Sequence, residues 1–178
     1  ECVALNQKFA SRGWPPLKIG VGVNSGGVRV GNMGSNIRQA YTVMGDPVNV
    51  ASRLEGRTKY YGVGCLVGEA TRSVVKDVVF KEIDKIKVKG KEEALSIYEP
   101  IGVESEVDKS VLEQIRLWHQ TLKLYRSRQW DQVEVNLLNL QRANPGCGLY
   151  ELYSERVARH RRVPLPQDWD GVTVFDEK

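Results

Sequence analysis

Asn49 and Arg53 are the two residues of this sequence whose types and spacing best suit a chemical task. They stand four apart, just after Asp46-Pro47. That pair is a helix-start signal: a carboxylate able to accept backbone N–H groups as N-cap, then a proline where its missing donor costs nothing. On a helix begun there, residues four apart share one face. An amide beside a guanidinium can grip a sugar hydroxyl and a phosphate together, because arginine offers a planar fork of donors that matches phosphoryl oxygens. The same pair on a plain surface helix would instead leave Asn49 in solvent and Arg53 against a carboxylate. Spacing alone leaves both readings open.

The elements that must position this pair can be read from period and punctuation. The helix that begins at Pro47 is expected to run to about Tyr60 and to end before Gly62. Ahead of it, residues 1–11 read as the end of a helix stopped by Gly13 and Pro15-Pro16. Residues 17–25 read as a strand with Ile19, Val21 and Val23 on one face. Gly20 and Gly22 on the other face predict a close approach of another backbone. Gly26-Gly27 predicts a two-residue hairpin turn into a second strand over 28–32. Residues 40–44 and 63–67 read as further strands, and 69–75 as a short helix. Residues 80–88 and 94–100 read as a hairpin around Lys89-Gly90-Lys91. Helices and hairpins alternating irregularly predict an α+β domain.

From Asp108 the pattern becomes helical. Val111, Ile115, Trp118, Leu122 and Tyr125 follow one helix face, and residues 127–129 break it. A second helix over 130–142 carries Val133, Leu137, Leu138 and Leu140 as its apolar set, and a third spans about 148–161. The expected organisation is an α+β domain over 1–102, a linker over 103–107, a small all-α extension over 108–162 and a Pro-rich tail over 163–178. Trp118, Trp130 and Trp169 read as packing anchors rather than ligand contacts. The basic run Arg159 to Arg162 reads as a solvated helix end, where cations suit the dipole.

Composition narrows the classes. The chain has 178 residues, 41% apolar and 27% charged, which suits a globular domain. No apolar run reaches the roughly 20 residues of a membrane span, and no signal peptide is evident. Three scattered cysteines, Cys2, Cys65 and Cys147, fit neither a zinc site nor a disulfide framework. They read as reduced thiols, hence a cytoplasmic setting, with a membrane anchor upstream left open. The net charge of +4 lies wholly in residues 1–102, where 15 Lys and Arg face 10 Asp and Glu. That excess suits a polyanion such as a nucleoside triphosphate, or is simply a solvated surface. No basic stripe with interleaved aromatics points to nucleic acid. Gly20-Val21-Gly22-Val23-Asn24-Ser25 begins like a dinucleotide fingerprint, but it lacks the last glycine and lies within a strand.

The run from Tyr41 to Glu55 (YTVMGDPVNVASRLE) resembles the substrate-binding helix of class III adenylyl and guanylyl cyclases. Three further segments resemble the same family in the same order: IGVGVNSGGVRVG from Ile19, GCLVGEAT from Gly64, and Val88-Lys89-Gly90-Lys91 followed by Ile97-Tyr98-Glu99-Pro100. The resemblance covers about residues 1–102 and implies a partial ferredoxin-like cyclase domain of bacterial type. It implies that Asn49 orients the ribose and that Arg53 stabilises charge on the α-phosphate as the 3′-hydroxyl attacks and pyrophosphate leaves. It implies that Lys89 holds the terminal phosphates. Thr42 falls where the family selects the base, and a hydroxyl there leaves adenine and guanine both open.

The family reaction implies Mg²⁺ or Mn²⁺ held by two aspartates in the half of the domain ahead of these segments. Residues 1–68 hold only three carboxylates, Glu1, Asp46 and Glu55, not placed as a pair. The resemblance therefore covers the ribose and transition-state half of a site shared between two cyclase domains, as in a homodimer with ATP as substrate. No metal ligand is assigned in this chain, and the fragment alone is expected to be inactive. The rival reading is a catalytically inactive cyclase-like regulatory or dimerisation module. The helices after Asp108 resemble a tetratricopeptide-type hairpin, read as a structural cap or as a docking surface for a protein partner.

Overall fold

Residues 2–34, 39–88 and 93–175 are described by the structure, a computed structural model. The elements are α1 (Cys2–Ala10), β1 (Val21–Val23), β2 (Arg29–Gly34), β3 (Gln39–Met44), α2 (Asp46–Tyr61), β4 (Cys65–Gly68) and α3 (Glu69–Arg72), then β5 (Val78–Val88), β6 (Leu95–Val103), α4 (Lys109–Arg126), α5 (Trp130–Ala143), α6 (Gly148–Arg162) and β7 (Thr173–Phe175). A five-stranded mixed sheet has the order β1-β4-β6-β5-β7, and β2 and β3 form a separate ribbon. The α+β class is as the sequence predicts. No helix among the described residues is long and apolar enough to cross a membrane.

The hairpin predicted at Gly26-Gly27 is corrected. β1 pairs in parallel with β4, from Val21 opposite Cys65 to Val23 opposite Val67. β2 instead pairs antiparallel with β3, Arg29 opposite Met44. Gly26 is small because the Pro47 ring sits where its Cβ would be. The close approach predicted on the glycine face of β1 is present: a Cβ on Gly22 would collide with the Ala51 carbonyl and lie 2.5 Å from the Glu55 nitrogen. The other face of β1 is open, with Ile19, Val21 and Val23 all exposed.

α2 buries Val50, Leu54, Thr58 and Tyr61, one stripe of a 3.6-residue period. It ends at Gly62, as expected. The first two helices of the extension follow their predicted faces, with Val111 only half-buried. α4 buries Ile115, Trp118, Leu122 and Tyr125, and α5 buries Val133, Leu137 and Leu140; α6, whose span alone is predicted, buries Leu149, Tyr150, Tyr153 and Val157. Leu138, counted in the apolar set of α5, is exposed instead. The buried apolar side chains of α4, α5 and α6, Ile115 apart, join Leu54 and Tyr61 of α2 and Ile83, Ile86 and Ile97 of the sheet in one buried cluster. The helices thus cover the sheet rather than stand apart from it. Trp118 is fully buried, and Trp130 and Trp169 pack against the cluster.

A break in register between Glu82 and Asp84 shows how tightly the layers are joined. A bulge leaves ladder groups without strand partners, and side chains from α4 and α6 take them. The Trp118 indole donates to the Glu82 carbonyl at 2.6 Å, and the Glu82 N–H donates to His119 Nε2 at 2.9 Å. The Tyr153 hydroxyl donates to the Ile83 carbonyl at 3.0 Å, and Arg126 reaches the Glu82 carboxylate at 2.6 Å. The bulge also turns Asp84 inward, to 1% exposure. Its Oδ2 accepts from the Tyr61 hydroxyl, from Arg156 Nη1 and from the Thr173 hydroxyl, each at 2.8 Å. Burial, then the Asp84 charge, pushes the Tyr61 phenol up, so it stays a donor. One carboxylate therefore joins α2, β5, α6 and β7.

His119 has a consequence for pH. Its Nε2 accepts a backbone N–H, and burial holds the imidazole below its ordinary 6.5, assisted by the charges of Lys123, Lys81 and Arg72 and opposed by Glu82. The unfolded chain takes up the proton first, so stability falls as pH drops through about 6.5. His160, lowered by burial and by Arg156 and Arg159, acts in the same sense. Glu99, raised by burial beside Lys81, acts in the opposite sense at lower pH. His119→Gln keeps an acceptor without a titration. Urea midpoints at pH 7.5 and 5.5 are expected to separate less in that variant than in the parent; equal separations would count against the assignment.

The stretch over 163–178, expected as a Pro-rich tail, is corrected for its described part. Arg128 Nη2 donates to the Pro166 carbonyl at 2.7 Å, and β7 pairs in parallel with β5, Ile86 opposite Thr173. The chain returns to the sheet edge after its helices.

Candidate functional site

The site is organised on the first two turns of α2. β3 enters a turn at Gly45, whose φ of 151° is open to glycine and poorly open to other residues. Gly45, not Asp46, is the N-cap, and Pro47 lies in the first turn as expected. Asp46 stands inside that turn, where a carboxylate suits the helix dipole. The correction has a simple cause: the turn needs a positive φ one residue before the carboxylate.

Two contacts hold this end of the helix. The Gly26 backbone lies against the Pro47 ring, and Asn24 Nδ2 donates to the Pro47 carbonyl at 3.4 Å. Ser25 and Thr71 share a hydroxyl hydrogen bond at 2.8 Å, tying the same loop to α3. The sequence reading missed Asn24, Ser25 and Gly45 as supports. The available signal is the polar pair Asn24-Ser25 at the end of the predicted strand, just ahead of the Gly26-Gly27 predicted as a turn.

Asn49 is exposed and Arg53 half-buried, on the flank of α2 beside the stripe of Val50 and Leu54. Among the described residues neither side chain makes a hydrogen bond or an ion pair. Arg53 therefore does not pair with a surface carboxylate there. Thr42 is exposed on β3, opposite Gly31, three residues ahead of the Gly45 turn. The fold brings Thr42, Asn49 and Arg53 onto one continuous strand-turn-helix unit. Lys89 lies outside the described residues. A groove of about 790 Å³ between the segment just ahead of β1 and the later turns of α2 is lined by Lys18, Gly20, Glu55, Lys59 and Gly62; neither Asn49 nor Arg53 lines it.

A divalent metal does not fit the donors present. No group of three or more His, Cys, Asp or Glu among the described residues could hold one. Hard cations need several oxygen ligands, so no step is assigned to a metal through these side chains. The described cysteines are free, and burial, then Glu99, raises the Cys65 thiol, which makes it a poor nucleophile.

The chain is similar to known proteins in both sequence and structure. Residues 2–99 match the family described as "Adenylate and Guanylate cyclase catalytic domain". The chain is 43% identical over 101 residues to adenylate cyclase 1 of Rhizobium meliloti, covering 56% of this chain and 15% of that protein. It is 48% identical over 94 residues to an adenylate cyclase of Anabaena cylindrica, covering 49% of this chain and 18% of that protein. In structure it is similar to the adenylyl cyclase CyaB of P. aeruginosa, with a TM-score of 0.52 and 33% identity over 60% of this chain and 54% of that one. It is also similar to the guanylyl cyclase Cya2, with a TM-score of 0.51 and 28% identity over the same shares.

The chain belongs to the adenylate and guanylate cyclase catalytic domain family. It spans less than a fifth of the length of the two bacterial relatives.

Proposed function

We propose that this chain supplies the ribose and transition-state half of an adenylate cyclase site that converts ATP to cyclic AMP and pyrophosphate. The observation that carries the reading is the Asn49–Arg53 flank of α2: two polar side chains, uncommitted among the described residues, at the positions where the family resemblance puts substrate contacts. Asn49 would orient the ribose. Arg53 would meet charge building on the α-phosphate, an interaction strongest in the transition state. Thr42 would face the base, and Lys89 the terminal phosphates. Adenine rather than guanine is favoured by the two adenylate cyclases above, while Cya2 is a guanylyl cyclase.

The metal half, with Mg²⁺ or Mn²⁺, would come from the rest of a complete cyclase domain or from a second one, as in a homodimer. The exposed apolar face of β1 supports association there. The named cyclase relatives support the catalytic reading over the inactive-module one. The α4–α6 helices serve as a structural cap on the sheet, and a cytoplasmic setting suits an ATP substrate.

Calorimetric titration of the full chain with ATP tests the site. Each charged hydrogen bond to phosphate contributes about 1.5–3 kcal/mol, so Arg53→Ala or Lys89→Ala is expected to weaken binding roughly tenfold or more. Unchanged affinity in both variants would remove the assignment. The unmixed chain is expected to release no cyclic AMP with Mg²⁺ or Mn²⁺.

A further inference from the structure

We infer that the C-terminal strand β7 is a positioning element for the helix that carries Asn49 and Arg53, with Phe175 as its contact residue; this rests on the reading of those two as site residues. Besides its buried stripe of Val50, Leu54, Thr58 and Tyr61, α2 is held at three places. Its start is held by Gly26 and Asn24 against Pro47, and its middle lies against Gly22. Its last turns are held by the tail. The Phe175 ring packs edge-on against Tyr60 at 5.3 Å and Tyr61 at 6.4 Å, and the Arg57 guanidinium lies 4.1 Å over it. Arg57 is one helical turn beyond Arg53. The Tyr61 hydroxyl and the Thr173 hydroxyl share Asp84 Oδ2, so β7 and the end of α2 are anchored on one buried atom.

A helix is stiff along its axis and is most easily displaced by rotation about it. Arginine reaches far from that axis, so turning α2 by about 10° would carry the Arg53 guanidinium about 1 Å, enough to spoil a phosphoryl contact. The start and middle contacts are backbone approaches on the β1 side. Phe175 and Asp84 act near the other end, and together they fix the azimuth. The tail therefore does more than seal a sheet edge: its last described side chain sets where a site residue 122 positions earlier in the sequence points.

The test uses the full chain with Phe175→Ala and Phe175→Trp, a substitution that keeps an aromatic ring. Hydrogen exchange over 46–61 is expected to speed up about tenfold in Phe175→Ala, with 130–143 unchanged and Phe175→Trp like the parent. ATP affinity should fall about fivefold in Phe175→Ala, and Phe175→Ala/Arg53→Ala should bind no more weakly than Arg53→Ala alone, because the two act through one contact. Exchange that rises only over 173–175, or a double variant whose losses add, would overturn the proposal. If Arg53→Ala itself leaves ATP affinity unchanged, the site reading fails, and the exchange result still decides whether β7 holds α2.

Discussion

Replacing Arg156 by methionine is expected to remove about 3–5 kcal/mol of stability, because it leaves the Asp84 carboxylate buried without its cation. The ion pair is 2.8 Å long, with the side chains 11% and 1% exposed. Tyr61, Thr173 and the Lys85 N–H still donate to Asp84 in the variant, but neutral donors do not offset an unpaired buried charge. Arg156 has further contacts to lose: it lies 4.7 Å from the Tyr153 ring centre and donates to the Tyr60 hydroxyl at 3.3 Å. A domain of this size has about 5–15 kcal/mol in all, so the variant stands close to unfolding. Urea denaturation checks it. Asp84→Leu/Arg156→Met is expected to recover much of the loss, since an apolar pair of similar volume can replace a buried ion pair. A single variant that melts like the parent would mean the pair contributes nothing.

The second large effect is expected at Gly22. Alanine there would drive a methyl group into the Ala51 carbonyl, which belongs to the helix backbone and has no rotamer to move. Overpacking costs about 1–3 kcal/mol where side chains can adjust, and more where they cannot. The relief available is for α2 to back away from β1. Gly22→Ala is therefore expected to lower stability by about 3 kcal/mol and to disturb Asn49 and Arg53 as well. Gly31→Ala is the control, since a Cβ there meets nothing within 4 Å. It is expected to stay within about 0.5 kcal/mol of the parent. Similar thermal shifts in the two variants would contradict the packing described for β1 and α2.

The parts of the fold legible in the sequence are those set by local period. α4 and α5 announce their buried faces at helical spacing, α2 and α6 announce their spans through flanking Pro and Gly, and Gly20 and Gly22 announce a neighbouring backbone. What was hidden depends on partners distant in sequence. Gly26-Gly27 has the chemistry of a hairpin, yet β1 finds its partner more than 40 residues later in β4. Within β5, the period of two around Ile83 would place Asp84 in solvent with Glu82. The register break between them turns it inward instead. Thr173 to Phe175 is too short for any period to show. Of the site, Asn49, Arg53 and Thr42 were legible as residue types within a recognisable run. Their supports, Asn24 and the Gly45 turn, carry no motif of their own.

The placement of β7 also bears on aggregation. β7 is a sheet strand at the end opposite β1, and the bulge groups of β5 are taken up by α4 and α6. β1 has β4 as its one described neighbour. A sheet with two free edges can recruit strands on both sides and grow without limit, as fibrils do. β7 is one of those edges, but it is three residues long, and a very short edge strand offers little backbone for another chain to pair with. Beyond it, the bulge groups of β5 are already committed to side chains of α4 and α6, so this side of the sheet is a poor template for recruiting strands.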